Sequence, residues 1–271
     1  MATKTARYIT LLGVAGLLML AHYGQALAQN KERLVLCVDP LNMPYSEMGV
    51  DPPGFDVEIG KRIGKIAGRK VGIYWADTGT KGGLSRALRR SITEGECNAF
   101  MGVPHDEGMI EELAEKGLVL TKPYMVASQV LIVREDSPKV TNIADLANLM
   151  TGVQARTWGH GIMMKNRLKH LFFKRPEEVL SALENGKVDV AIMFGPKVGW
   201  IIQEQFKGRL EVSMEFQPGA EHRWEIGIAV KKEDQELKAD LDRALVQLWQ
   251  EDQINPIMAK YGVQSLKPEG L

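Results

Sequence analysis

Two successive series of alternating strand and helix patterns constrain this chain more than any other feature, because such alternation buries a parallel sheet between helices. A short apolar run at 33–39 enters a loop rich in Asp, Pro and Gly that extends to Gly54. From 55 to 67, Phe55, Ile59, Ile63 and Ile66 recur at helical spacing with Asp56, Glu58, Lys61, Arg62 and Lys65 between them, and Gly68 stops the pattern. A strand at 71–75, a helix at 84–93 and a strand at 98–103 complete the first series. The pattern restarts with a strand at 128–134 and continues through segments at 145–149, 152–154, 162–171, 176–185, 188–193 and 198–206. A return strand at 224–230 and helices at 234–252 and 255–261 close the chain, with Leu237, Leu241, Leu245 and Leu248 on one helical face. No fixed-period repeat or low-complexity segment interrupts these two α/β units.

The chain of 271 residues is 45% hydrophobic, enough for a substantial core. Its 34 Lys and Arg balance 34 Asp and Glu, leaving no net field to attract nucleic acid. The N-terminus reads as an export signal over 1–28: Lys4 and Arg7, an apolar stretch at 9–21, then Ala26-Leu27-Ala28 as a small-x-small cleavage site. A membrane anchor is the alternative, but the apolar core is short and contains Gly13 and Gly16. Cleavage after Ala28 leaves no later segment able to span a bilayer, so the expected location is the periplasm. Cys37, inside the first strand, and Cys97, opening the third, are the only cysteines. In an oxidising compartment they are expected to pair if their strands are neighbours, with two separately buried thiols as the alternative. They lack the accompanying ligands of a zinc site.

Several segments carry a family resemblance: Pro44-Tyr45 after the first strand, Gly54-Phe55-Asp56-Val57-Glu58-Ile59 opening a helix, Glu94-Gly95, and Thr121-Lys122-Pro123-Tyr124 before the crossover. Together with 142–146, 182–190 and 226–230, they resemble the extracellular solute-binding proteins of ABC transporters, in the polar amino-acid-binding family, over about 33–262. Within it, Leu36-Cys37-Val38-Asp39-Pro40, Asn42-Met43-Pro44-Tyr45, the run from Gly95 to Pro104, and Phe194-Gly195-Pro196 are most similar to the methanol-dehydrogenase-associated binding proteins, the MxaJ/XoxJ-like group. The resemblance implies a periplasmic binding protein type II fold of class α/β, with two lobes joined by two crossover strands and a ligand cleft between them. Lobe one would comprise 31–125 and 225–271, and lobe two 126–224.

The same resemblance shows what the cleft lacks. An amino-acid binder needs a guanidinium for the α-carboxylate and a carboxylate for the ammonium. The family's arginine falls in Val103-Pro104-His105-Asp106-Glu107-Gly108-Met109, which has no Lys or Arg, and its aspartate falls near Phe194-Gly195, which has no charge. The aromatic positions that sandwich a side chain fall near Asn42 and Lys81. Ligand-cleft candidates are therefore Asp39, Asn42, Tyr45, Pro104, His105, Tyr124, Ser128, Arg156, Thr157, Trp158 and Gly195, each with a packing or loop-forming role as the alternative.

Catalysis is not expected, since no nucleophile elbow, His-Glu-x-x-His helix or phosphate loop occurs. The His105-Asp106-Glu107 cluster and the His160 and His170 pair are weak metal candidates, and the two histidines read as solvent-exposed. Lys165, Arg167, Lys169, His170, Lys174 and Arg175 read as a solvated helix face, with a docking surface for an acidic partner as the sharper alternative. Trp158 and Trp200 suit either a core or a protein contact. The resemblance implies a binding role beside a PQQ-dependent methanol or alcohol dehydrogenase, in its maturation, activation or cofactor loading. No cofactor is expected to be bound permanently, though transient contact with PQQ or the loaded enzyme fits that role. The other reading is a receptor delivering a small organic solute, other than a standard amino acid, to an ABC permease.

Overall fold

The computed structural model describes residues 32–271, so the export signal read at 1–28 lies outside the described residues. Strand β1 (Arg33–Val38) leads through the short hairpin β2 (Leu41–Asn42) and β3 (Ser46–Glu47) into helix α1 (Phe55–Ile66). Strand β4 (Lys70–Trp75), helix α2 (Gly83–Arg90), strand β5 (Ala99–Pro104), helix α3 (Glu107–Glu115) and strand β6 (Leu118–Leu120) complete this part of the first lobe. The second lobe begins in strand β7 (Met125–Val133) and, after a 3-10 turn at Ile143–Asn148, runs through β8 (Thr151–Gln154), α4 (Trp158–Lys165) and β9 (His170–Phe173). It continues with α5 (Pro176–Glu184), β10 (Val190–Phe194), α6 (Gly195–Ile201) and the short β11 (Glu211–Val212). Strand β12 (Arg223–Lys231) returns to the first lobe, where α7 (Gln235–Gln250) and α8 (Ile254–Ala259) follow.

The principal sheet runs in the order β4-β1-β5-β12-β7-β10-β8-β9, with β6 on β12 and β11 on β7. β1 is parallel to β4 and β5, and β8 is parallel to β10 and β9, as expected for α/β units with helical crossovers. The two units meet where β7 and β12 pair antiparallel, from Met125 opposite Ile226 to Ser128 opposite Arg223. Beyond that seam β12 pairs with β5 and β7 with β10, so each strand serves both its own lobe and the junction. The buried clusters divide in the same way. Leu36, Ile59, Ile63, Ile228, Leu241 and Leu245 pack in the first lobe, and Ile132, Leu180, Leu183 and Val198 in the second.

Cys37 and Cys97 form a disulfide with their Cα atoms 5.7 Å apart. Pairing of β1 with β5 brings the two positions together, and two separately buried thiols are excluded.

Three local expectations change. The segment at 162–171 is not one helix: α4 ends at Lys165, Arg167 takes a left-handed φ of 52°, and His170–Phe173 forms β9. Asn166 donates its amide to the Ile162 carbonyl at 2.9 Å and closes the last turn, after which the aromatic run favours a strand. The basic residues from Lys165 to Arg175 therefore do not share one helix face. Segment 145–149 falls in the 3-10 turn up to Asn148, with Leu149 extended after it, and a helix unforeseen in the sequence, α3, follows β5. Asp106 caps α3 by accepting from the Met109 N–H at 2.9 Å, which gives that residue a structural role.

The lobes also touch beside the seam. Gly199 of α6 lies so close to Gly262 that a Cβ at Gly199 would stand 2.1 Å from the Gly262 carbonyl oxygen. Trp200 and Tyr261 approach to 5.9 Å between ring centroids, and Lys197 donates to the Met43 carbonyl at 2.9 Å. The C-terminal tail crosses the seam, with the Val126 N–H donating to Ser265 Oγ at 3.0 Å and the Glu269 N–H to Glu225 Oε1 at 2.9 Å. The variant G199A must push α6 from this tail. Overpacking of this kind costs about 1–3 kcal/mol, so the thermal midpoint should fall by roughly 2–10 °C. An unchanged midpoint in calorimetry would show that the two backbones are not in tight contact.

Candidate ligand cleft

Loops at the C-terminal ends of β1, β4 and β5 enclose a cavity of about 310 Å3. In open α/β sheets this is the end at which ligands collect. Asp39, Asn42, Tyr45, Thr78 and Pro104 line it from the first lobe, Ile226 from the seam and Phe194 from the second lobe. Phe100, Met101 and Leu84 make much of the remaining wall apolar. Among the described residues the lining contains no Lys or Arg, and its ionisable groups are Asp39, Asp56 and Tyr45.

Neither carboxylate is free to act as a simple counter-ion. Asp39 accepts from the Leu41 N–H at 2.7 Å, the Thr78 N–H at 2.8 Å and the Thr78 hydroxyl, while its backbone carbonyl takes the Ser46 hydroxyl at 2.7 Å. It ties the loop after β1 to the loop after β4. Asp56 is buried and accepts the Tyr124 hydroxyl proton at 2.6 Å. Desolvation raises its pKa to about 7 against the lowering effect of that hydrogen bond. Desolvation and the neighbouring Asp56 charge push the Tyr45 and Tyr124 phenols above their ordinary range. These three side chains form a polar knot at the cavity wall that can hold a proton near neutral pH.

Aromatic side chains dominate the opposite side. Phe194 ends β10 at 36% exposure, and its ring centroid lies 6.2 Å from that of Trp224 on β12. Trp224 in turn lies 5.7 Å from Trp158, which opens α4 and is 65% exposed. Three rings from separate elements thus form one continuous aromatic surface. Phe194 and Trp224 were not among the sequence candidates, because an aromatic ending an apolar strand carries the same pattern whether it faces a core or a cleft.

The other candidates are placed elsewhere. Tyr124 is fully buried and directed to Asp56, and its carbonyl accepts from the Trp249 indole at 3.1 Å. His105 packs over β12, where a Cβ at Gly227 would stand 2.3 Å from its Nε2. That nitrogen is buried without a hydrogen-bond partner, and desolvation, opposed by the Glu225 charge, lowers the pKa of the ring. Ser128 lines a separate cavity of about 140 Å3 with Gln217 and Ser265. Thr157 caps α4, donating to the Gln154 carbonyl at 2.7 Å and accepting from the His160 N–H. Arg156 is exposed with a φ of 63°, and its N–H donates to His160 Nδ1. Gly195 lets the start of α6 approach β7, since a Cβ there would meet Val130 at 2.9 Å. His160 and His170 are not simply exposed but meet ring to ring at 5.3 Å. No group of three or more metal-ligating side chains occurs among the described residues.

A two-lobed α/β chain whose lobes share an antiparallel strand pair and enclose a cleft at strand ends has the type II periplasmic binding protein fold. The chain belongs to the bacterial extracellular solute-binding proteins, family 3, whose sequence profile matches residues 107–264. Members of that family are typically non-enzymatic binding proteins. The L-cystine solute receptor of Neisseria gonorrhoeae, in its unliganded open conformation, superposes with a TM-score of 0.73 at 15% identity, covering 88% of this chain and 97% of the receptor. The second substrate-binding domain of a putative amino acid ABC transporter from Streptococcus pneumoniae gives 0.67 at 20% identity, over 84% and 99%. MxaJ from Methlophaga aminisulfidivorans gives 0.63 at 17% identity, over 86% and 100%. At these identities the likeness establishes the fold. No curated protein matches the chain in sequence.

The Asp56 pKa has a consequence for stability. In the folded chain Asp56 keeps its proton up to about pH 7, whereas in the unfolded chain it releases it near 3.8. The folded state binds more protons across that interval, so this residue makes stability fall as pH rises through it. D56N, which retains an acceptor for Tyr124, should flatten the decline of thermal midpoint between pH 5 and 7 and raise the midpoint at pH 8. Superimposable pH profiles for D56N and wild type would contradict this assignment.

Proposed function

We propose that the chain is an exported binding protein of this family that works by direct contact with a PQQ-dependent methanol or alcohol dehydrogenase, in the enzyme's maturation, activation or cofactor loading. The observation that carries this reading is the absence, among the described residues, of any Lys or Arg from the cavity between the lobes. An amino-acid zwitterion placed there would leave its carboxylate buried without a counter-charge, a loss of several kcal/mol that contact area does not offset. The work of the molecule then shifts from the cleft to its outer surfaces. The segments resembling the methanol-dehydrogenase-associated group and the fold shared with MxaJ support the choice of partner. The cavity does not suit PQQ as a resident cofactor, since the carboxylates of that molecule would face Asp39 and Asp56 with no basic side chain. In this reading any contact with PQQ is made through the loaded enzyme.

One feature favours a second reading. The aromatic surface of Trp158, Trp224 and Phe194 beside a largely apolar wall suits a small, neutral, planar organic solute, which a permease could then receive.

Calorimetry and affinity capture separate the two. The mature chain should show no heat with the standard amino acids and should retain purified dehydrogenase, in the apo or PQQ-loaded form, on an affinity column. A micromolar amino-acid ligand, or no retention of either form, would overturn the first reading. A micromolar neutral aromatic ligand without dehydrogenase retention would establish the second.

A further inference from the structure

Charge is distributed unevenly over a chain that is neutral as a whole. Between 156 and 175 stand six basic residues, Arg156, Lys165, Arg167, Lys169, Lys174 and Arg175, and no Asp or Glu. All six are exposed. Arg175 is paired with Glu178 at 2.9 Å, but among the described residues no ion pair engages Lys165, Arg167, Lys169 or Lys174. The split of this segment into α4, a turn and β9 places Lys165, Arg167 and Lys169 before the first residue of this edge strand and Lys174 and Arg175 directly after its last.

That edge is also structurally open. β9 is the last strand of the sheet order, so its backbone has a partner, β8, on one side only. In its middle Phe172 is 62% exposed, and Met164 at the end of α4 is equally so. Phe172 is not a loose side chain. His160 of α4 stacks on it at 5.3 Å with an interplanar angle of 30°, and His170 meets the His160 ring at 5.3 Å. The helix and the strand thus hold one apolar ring outward within a basic border.

Lysines at a sheet edge ordinarily deter pairing with other strands. That role alone is better served by a polar residue at 172 than by an ordered, exposed phenylalanine. The same charges repel a second copy of this chain, so the occupant that fits is of opposite sign.

We propose that the β9 edge of lobe two, centred on Phe172, is a docking surface for a protein partner that presents carboxylates around an apolar pocket. The basic border would steer encounter, and Phe172 would supply the buried anchor at the centre. The proposal rests on the preceding section only for the partner used as probe, the purified dehydrogenase.

The test measures dehydrogenase binding to immobilised mature chain as a function of salt. The triple variant K165E/K169E/K174E alters exposed positions on lobe two, and K61E/R62E/K65E makes the same net charge change on exposed positions of α1 in lobe one. The lobe-two triple should weaken binding by at least about tenfold and reduce its salt dependence, as loss of complementary charge requires. F172A should weaken it by about fivefold or more without changing the salt dependence, as loss of an apolar anchor requires. The lobe-one triple should remain within about twofold of wild type. Equal weakening by both triples would reduce the effect to net charge and overturn the proposal while leaving the dehydrogenase reading intact. The same follows if wild type binds and neither the lobe-two triple nor F172A weakens it. Absence of binding by wild type would overturn both.

Discussion

Antiparallel pairing of β7 with β12, four positions from Met125–Ile226 to Ser128–Arg223, is the seam on which both lobes depend. On one side of it β12 continues the sheet of lobe one through β5, and on the other β7 continues that of lobe two through β10. The cavity lies where the strands on the lobe-one side end beside this seam while Phe194 approaches from its other side. A one-residue slip of register would reverse the facing of Ile226 and Trp224 and dismantle both the wall and the aromatic surface. The C-terminal tail covers the same strands through Ser265 and Glu269, and Gly199 against Gly262 fixes the approach of α6. A bound solute or protein stabilises one arrangement of the lobes only through contacts that differ between arrangements.

The electrostatics of the two working surfaces are opposed. The cleft carries two carboxylates and no cation, and one carboxylate serves the loops while the other is held near its protonated form by burial. Such a cavity is neutral to slightly acidic and apolar in its walls, which suits exclusion of zwitterions and anions. The edge of lobe two is basic, open on one side of β9 and aromatic at its centre.

Much of the fold could be read from periodicity. The α1 pattern of Phe55, Ile59 and Ile63 matches three fully buried side chains, and the restart of the strand and helix series marks the second lobe. The division of 162–171 into helix, turn and strand is not legible in the sequence because no Gly or Pro stands within it to mark the break. The left-handed Arg167 that separates α4 from β9 leaves no compositional mark. Asp39, Asn42, Tyr45 and Pro104 do line the cavity, since they sit directly after strand ends whose direction the series implies. His105 follows Pro104 immediately and still faces elsewhere, because successive residues of an extended chain point to opposite sides.

By itself the sequence determined most of the local elements, the two α/β units, the placing of the two cysteines in strands and the lack of a Lys or Arg directly after β5. Each of these follows from backbone geometry over a few residues or from residue identity at one place. Only the tertiary structure decided that Trp158, Phe194 and Trp224 share one surface, that Asp56 meets Tyr124, and that Phe172 stands exposed among lysines at a sheet edge. The reason is physical: strand pairing brings together residues far apart in the chain, and burial, which sets the Asp56 proton and exposes Phe172, is a property of that assembly and not of any segment.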